Sequence, residues 1–469
     1  MVFSSILFLV YFLPVFLLVY YVLPNTYKNA WLVIASLAFY TWGAPTFLPI
    51  LLLSCVVDYV STFFFAKKKG KLWFALVLTS NISLLLYFKY ANFFSGNLNL
   101  LLNQFNLLAL PWQEVMLPIG ISFLTFQKIS YLVDVYRKDC EPQQSFINYL
   151  LFIVLFPHSI AGPIVRYKDI KAQLLGRFEN LNASFIFLGL FQFVMGLSMK
   201  VIIANPLGAK ANLIFNALPN LDFAQAWMGI ICYTFQIYFD FAGYSAMAIG
   251  LGKMMGFVIP DNFNFPYTAR SITEFWKRWH ITLSSWMKDY LYIPLGGNRN
   301  GNGRTYFNLF IVFMLSGFWH GASWNFLLWG AFHGLFLVVE RLGLSKILIK
   351  IGPFAMLYTL VTVMIAWVFF RLEHFADAVF FIEQLFTWPD SNINWFKLGT
   401  RREIIVLSIA CVFAFMPLNL QTKLNPLYKA YPTKNWVSYF LMFLSVLLYV
   451  LCLGEIFATG FNPFIYFKF

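Results

Sequence analysis

Three observations predict an all-α, multi-pass membrane protein. The 469-residue chain is 60% hydrophobic and 11% charged, with a mean hydropathy of +0.71; a soluble domain carries roughly 25% charged residues. Its apolar residues fall into runs near the length of a bilayer crossing, about 20 residues each. Its basic residues collect between those runs, where the positive-inside rule places them. The net charge of +14 therefore belongs to membrane topology and not to nucleic-acid binding. The 57 Phe, 25 Tyr and 15 Trp suit lipid-facing and interfacial positions. No soluble domain of any size remains, and residues 1–469 read as one membrane domain.

The start, Met1-Val-Phe-Ser-Ser5, has no basic n-region and no small-residue cleavage site, so the first apolar run is expected to stay as a spanning helix. Further spans are expected at 30–44, 46–66, 72–90, 184–204, 223–250, 305–319, 323–341, 353–371, 402–419 and 436–457. Two stretches, 115–133 and 146–165, are interrupted by Pro118, Gly120, Pro157, Gly162 and Pro163 and are expected to span or re-enter. This gives about 11–13 transmembrane helices with re-entrant and interfacial pieces. Lys67–Lys71, Arg137-Lys138 and the loop with Lys423, Lys429 and Lys434 are expected on the cytoplasmic side, which puts both termini outside. The segment 373–400 is the most polar connection and reads as a surface helix and loop.

Cys55, Cys140, Cys232, Cys411 and Cys452 lie far apart and offer no metal-ligand spacing. Gly250-Leu-Gly-Lys-Met-Met-Gly256 has one residue too many for a dinucleotide loop and no strand before it. No P-loop, nucleophile-elbow serine or metalloprotease pair is present.

Three of the five histidines fall in one short region, 270–334. Between 270 and 304 the chain is too polar for a lipid-facing span and too apolar for a solvated loop. Phe275, Trp276, Trp279, Leu283 and Trp286 follow helical spacing, which predicts an amphipathic helix in the cytoplasmic interface. Lys277, Arg278, Lys288 and Arg299 would there meet a phosphorylated donor from the cytosol. Pro294-Leu-Gly-Gly-Asn298 reads as a turn.

His320 stands between Trp319 and Gly321, at the junction of two apolar runs. Lone histidines on apolar faces usually serve structure, but an ionisable ring at membrane depth favours a functional role. Burial disfavours imidazolium, so such a ring is expected to be neutral and able to take a proton. His280 is the second candidate, to orient His320, to bind an acyl carbonyl or simply to cap the interfacial helix. His333 reads as structural and His374 as interfacial. His158, Asp240, Trp319 and Asn325 are candidates for lining the same cavity; ion pairing is the equal alternative for Asp240. Asp58, Asp134, Glu340 and Glu455 lie near span ends and read as structural. The tail Phe464-Ile-Tyr-Phe-Lys-Phe469 is either an aromatic anchor or a means of presenting the Tyr466 hydroxyl.

Arg270-Ser-Ile-Thr-Glu-Phe-Trp-Lys-Arg-Trp-His280, Tyr290-Leu-Tyr-Ile-Pro-Leu-Gly-Gly-Asn-Arg299 and Trp319-His-Gly-Ala-Ser-Trp-Asn325 closely resemble the membrane-bound O-acyltransferase family, in the branch of the alginate O-acetyltransferase membrane subunit. The likeness extends to Pro118–Phe123, Ala161–Pro163, Tyr238–Gly250 and the C-terminal tail. It implies a ring of helices around a thin central tunnel, with the family's near-invariant histidine at His320 and its second polar position at His280. It further implies acetyl-CoA as donor substrate with no tightly bound cofactor and no metal. An SGNH-type transferase would be the partner outside a bacterial inner membrane, with an exported polysaccharide as acceptor and Tyr466 as acyl carrier in transit. One departure is visible: Ala246 stands where many relatives carry Asp. Two alternatives accompany this reading, D-alanyl transfer from a carrier-protein thioester and a polytopic transporter or flippase.

Overall fold

The computed structural model describes residues 2–68, 70–388, 399–417, 419–421 and 435–460. All regular elements among these residues are helices. Five helical stretches among them are long and apolar enough to cross a membrane: Pro45–Ala66, Lys71–Gln104, Ala183–Phe215, Trp324–Arg371 and Trp436–Thr459. The larger count expected from sequence includes apolar helices shorter than this, such as Leu7–Val22. It also splits the 48-residue stretch Trp324–Arg371, which contains the separate helices Trp324–Val339 and Ala355–Arg371. The loop Lys423–Lys434, on which the orientation of the last span rests, lies outside the described residues, as does Tyr466.

The described residues form two compact units, one from residue 2 and residues 7–180 with 257–259, the other from 3–6, 181–256 and those from 260 on. In the first, the interrupted stretches do break. Gly120 has φ +74 and precedes helix Ile121–Arg137, and a Cβ there would lie 2.7 Å from the Ser159 carbonyl, so both conformation and space select glycine. Helix Phe146–Val154 starts at a Ser145 cap and stops at Leu155 (ψ 111), and a short helix, Phe156–Ser159, follows. Lys128 pairs with buried Asp58 at 3.1 Å, and Asn81 donates to the same carboxylate at 2.8 Å. A buried carboxylate so partnered is structural, as its sequence position implied.

The second unit is organised around helix Phe223–Met254. Its start is fixed by a reciprocal cap: Asp222 accepts from the Gln225 N–H at 2.8 Å, and Gln225 accepts from the Asp222 N–H at 3.2 Å. Its 32 residues give a length of about 48 Å, more than the roughly 30 Å of bilayer hydrocarbon. Helix Ala183–Ser198 packs against it at backbone contact. A Cβ on Gly196 would lie 2.5 Å from the Gly243 carbonyl, and one on Gly250 would lie 2.5 Å from that of Gly189. Small residues let membrane helices approach this closely and gain dispersion contacts that lipid cannot outcompete. Lys200, on the continuation of Ala183–Ser198, reaches Asp240 on Phe223–Met254 at 2.6 Å, with both side chains buried.

Helices Gly301–His320 and Trp324–Val339 fold back on each other. Gly321 to Ser323 makes the turn, and Ser323 caps the second helix by accepting from the Phe326 N–H at 3.4 Å. A Cβ at Gly317 would meet the Phe326 carbonyl at 2.2 Å, and one at Gly330 the Phe313 carbonyl at 2.3 Å, so these two glycines set the closeness of the pair. The break matters for the histidines. A continuous helix would place His333 about 20 Å beyond His320; in the hairpin, Trp329 contacts both rings.

Candidate active site

The segment expected to be one interfacial amphipathic helix is two short helices, Ile272–Arg278 and Ile281–Met287. The break falls at His280, whose backbone is left-handed (φ 44, ψ 52). A non-glycine residue pays for that conformation and keeps it only where its surroundings impose it. Trp276, Trp279 and Trp286 are buried, so the apolar stripe packs against protein and not along a membrane surface. The helical spacing holds locally, but it carries no sign of the break at His280.

The first short helix is anchored by a residue distant in sequence. Glu340, 1% exposed, accepts from the backbone N–H groups of Ile272 and Thr273 at 2.6 and 2.9 Å and from the Thr273 hydroxyl at 2.6 Å. A carboxylate on free N–H groups at a helix start satisfies otherwise orphaned donors. Ser271 accepts from the Glu274 N–H at 2.9 Å in the same turn. The Trp276 indole N–H donates to His333 Nδ1 at 3.3 Å, which ties this helix to Trp324–Val339 and gives His333 a structural bond.

His280 is fully buried. Its Nδ1 lies 3.1 Å from Asn262 Oδ1, and the same oxygen accepts from the Thr282 hydroxyl at 2.8 Å and the Thr282 N–H at 3.2 Å. The Asn262 carbonyl accepts from the Ile281 N–H at 3.0 Å, and its side-chain NH₂ donates to Ser245 at 3.1 Å. Phe241 meets the imidazole edge-on, with centroids 4.7 Å apart. Residue 280 lies outside the spanning stretches, and burial pushes its imidazole down to about 3, so the ring is neutral at any working pH.

His320 ends helix Gly301–His320 and is 3% exposed. Trp319, Trp329 and Phe370 surround its ring at centroid distances of 5.0, 5.2 and 5.3 Å, and His280 lies at 6.5 Å. Trp329 in turn stacks on Trp367 at 6.0 Å. Four helices and the Asn262 loop thus converge on two imidazoles in an aromatic cage. Within it, His280 Nε2, Trp329 Nε1 and His333 Nε2 are buried without a hydrogen-bond partner among the described residues. Unsatisfied buried polar groups are rare, and a substrate's oxygen atoms can satisfy them.

The other candidates fall in different places. Asp240 forms the ion pair with Lys200, the structural role that its sequence position had allowed. Asn325 donates to the Leu372 carbonyl at 2.7 Å and so ties the hairpin to the end of helix Ala355–Arg371. His158 belongs to the other unit, where its Nε2 is 2.9 Å from the Phe152 carbonyl. Lys277, Lys288 and Arg299 are exposed, whereas Arg278 is half-buried and bound to Glu274 at 2.8 Å. Gly296 and Gly297 both have positive φ, as the turn required. Ser245, Ala246 and Asn262 line a cavity of about 300 Å³ that also borders Gln192, Met195 and Lys253.

Sequence reasoning missed Asn262, Thr282, Trp329 and Phe370. Asn262 stands in Asp261-Asn-Phe-Asn-Phe265, and an Asn between aromatic residues in an apolar chain was the one available signal. The two aromatic rings carried none, since such residues are common throughout the chain.

A sequence model described as the membrane-bound O-acyltransferase family matches residues 63–347. A probable alginate O-acetylase of Pseudomonas putida is 40% identical over the whole of both chains. A peptidoglycan O-acetyltransferase of Helicobacter pylori is 40% identical over 81% of this chain and 78% of its own. A teichoic acid D-alanyltransferase of Streptococcus thermophilus is 33% identical over 50% of this chain and 59% of its own. The two histidines lie in the matched region, transport gives way to acyl transfer as the class of activity, and the chain belongs to the membrane-bound O-acyltransferase family as a multi-pass membrane O-acyltransferase of the alginate O-acetyltransferase branch.

Proposed function

We propose that this enzyme takes an acetyl group from acetyl-CoA at the cytoplasmic face and delivers it for O-acetylation of an exported polysaccharide, with an SGNH-type transferase completing the transfer outside. The observation that carries the reading is the buried pair His280 and His320, at a ring spacing of 6.5 Å. The names of the relatives at 40% identity support the polysaccharide acceptor and the acetyl group.

In the reaction, His320 accepts the proton of the acceptor hydroxyl as the oxygen attacks the thioester carbonyl. The carbon–oxygen bond forms and the carbonyl electrons move to oxygen. Collapse of the tetrahedral species breaks the carbon–sulfur bond, and the imidazolium returns its proton to the leaving thiolate. Such general-base help supplies typically 10²–10⁴-fold. His280 holds the reacting groups in register with His320. The aromatic cage excludes water, which favours transfer over hydrolysis of the thioester. Exposed Lys277, Lys288 and Arg299 receive the phosphates of the donor. Tyr466 is the first acceptor, and its ester passes to the partner's serine. Both chain ends lie outside a bacterial inner membrane in this scheme.

Reconstituted protein supplied with acetyl-CoA or with a D-alanyl carrier protein tests the donor. The proposal expects thiol release and acetyl transfer from acetyl-CoA alone. The D-alanyl reading, which has the 33% identical relative in its favour, is the one that carrier-dependent transfer would support.

A further inference from the structure

We propose that Asn262 is a positioning residue that fixes His280 in the tautomer with hydrogen on Nδ1, leaving Nε2 as a bare acceptor facing the reaction. The inference deepens the acyl-transfer reading and rests on it for its catalytic meaning, though not for its geometry.

Neighbouring groups fix the orientation of the Asn262 amide. Its two ends are alike in shape, so neighbours must decide which atom is oxygen. The backbone N–H of Thr282 can only donate, and it points at one end of the amide at 3.2 Å. That end is therefore the carbonyl oxygen. The Thr282 hydroxyl at 2.8 Å donates to the same atom, and the NH₂ end meets Ser245 Oγ at 3.1 Å, as that assignment requires. A flipped amide would set NH₂ against an N–H.

The nitrogen of His280 facing that oxygen, at 3.1 Å, must then carry hydrogen. A neutral imidazole has one N–H, so the proton on Nδ1 leaves Nε2 with a free lone pair. Nε2 is buried and has no hydrogen-bond partner among the described residues. The ring cannot turn end for end without losing the bond to Asn262. The left-handed backbone at residue 280 belongs to the same device, because the Asn262 carbonyl holds the next N–H, that of Ile281, at 3.0 Å. One residue thus sets the backbone, ring orientation and tautomer of His280. The hydroxyl proton goes to His320, so a bare Nε2 accepts from a different donor on the bound substrate and places no N–H on the attacking oxygen. The opposite tautomer would donate to that oxygen and compete for the attacking electrons.

The test is solid-state NMR on the full-length protein in lipid bilayers with ¹⁵N-labelled histidine, the His280 signals being those lost in His280→Asn. At neutral pH the proposal expects a protonated, pyrrole-type Nδ1 and an unprotonated, pyridine-type Nε2. A proton on Nε2 would overturn it, and this arm needs no variant of Asn262. Asn262→Leu should mix the tautomers and lower kcat by about 10–100-fold, the range seen when a partner that orients an imidazole is removed, with the donor KM within about twofold. Asn262→Asp, which still accepts from Nδ1, should keep the tautomer and recover most of the loss. Unchanged tautomer and kcat in Asn262→Leu would also overturn the assignment. Since the spectra need no turnover, an intact tautomer beside an active His320→Ala enzyme would count against the acyl-transfer roles and not against Asn262.

Discussion

The imidazoles of His280 and His320 lie 6.5 Å apart, centroid to centroid, although His320 ends a long helix and His280 sits at the break between two short ones. Their spacing depends on Asn262 at one ring and on Trp329 and Phe370 at the other. Replacing His280 with Ala should lower transfer by at least about 10-fold. His280→Asn should recover part of the activity, because the position needs a hydrogen-bond acceptor more than a proton acceptor. Steady-state kinetics on the three proteins decides this, and full activity in His280→Ala would remove the residue from the site.

The four basic candidates should separate into two groups. Charge reversal at exposed Lys277, Lys288 or Arg299 should raise the donor KM more than it lowers kcat, and the effect should shrink with salt. Arg278 is bonded to Glu274 and to the Asn264 carbonyl, so Arg278→Glu should instead lower the yield of folded protein. Donor titrations at two ionic strengths, with size-exclusion profiles of each variant, distinguish the two behaviours.

Asp240 and Lys200 form a buried pair at 2.6 Å. Removing one partner takes the ion pair from a buried charge, at a cost of about 3–5 kcal/mol, whereas replacing both with apolar residues of similar size is often neutral. Asp240→Leu should therefore destabilise the protein strongly, and Asp240→Leu with Lys200→Met should restore most of the thermal stability. Loss of activity in a well-folded double variant would show a further role for the pair.

Tyr466→Phe keeps an aromatic ring and deletes only the hydroxyl. If Tyr466 carries the acyl group in transit, this variant should no longer acetylate the polysaccharide while still binding the donor. Mass spectrometry of the C-terminal peptide after donor exposure should find an ester on the unaltered protein. Normal acetylation by Tyr466→Phe would return the tail to an anchoring role.

The helical class, the breaks near Gly120 and Pro157 and the turn at Gly296-Gly297 were legible because each depends on local chemistry: apolar runs, prolines and positive φ. His320 was legible because an ionisable ring between Trp319 and Gly321 is conspicuous in an apolar chain. The environment of these residues was not legible. Glu340 caps a helix that begins at Ile272, and Asn262 holds a ring at position 280; both pairings arise from tertiary packing. The break at His280 was hidden because Phe275, Trp279 and Leu283 keep helical spacing across it. Asp240 was ambiguous for the opposite reason: an intramembrane carboxylate signals a partner without naming it, and Lys200 lies on another helix.

The central claim is that His320 is the base for acyl transfer, and single-turnover transfer by His320→Ala tests it most directly. Purified, bilayer-reconstituted His320→Ala, shown by its thermal unfolding to be folded, should bind acetyl-CoA as the unaltered enzyme does. It should transfer acetyl at a rate lower by about 10²–10⁴-fold, the contribution of a general base. A rate above roughly 10% of the unaltered enzyme would be too high for the loss of such a base and would contradict the assignment.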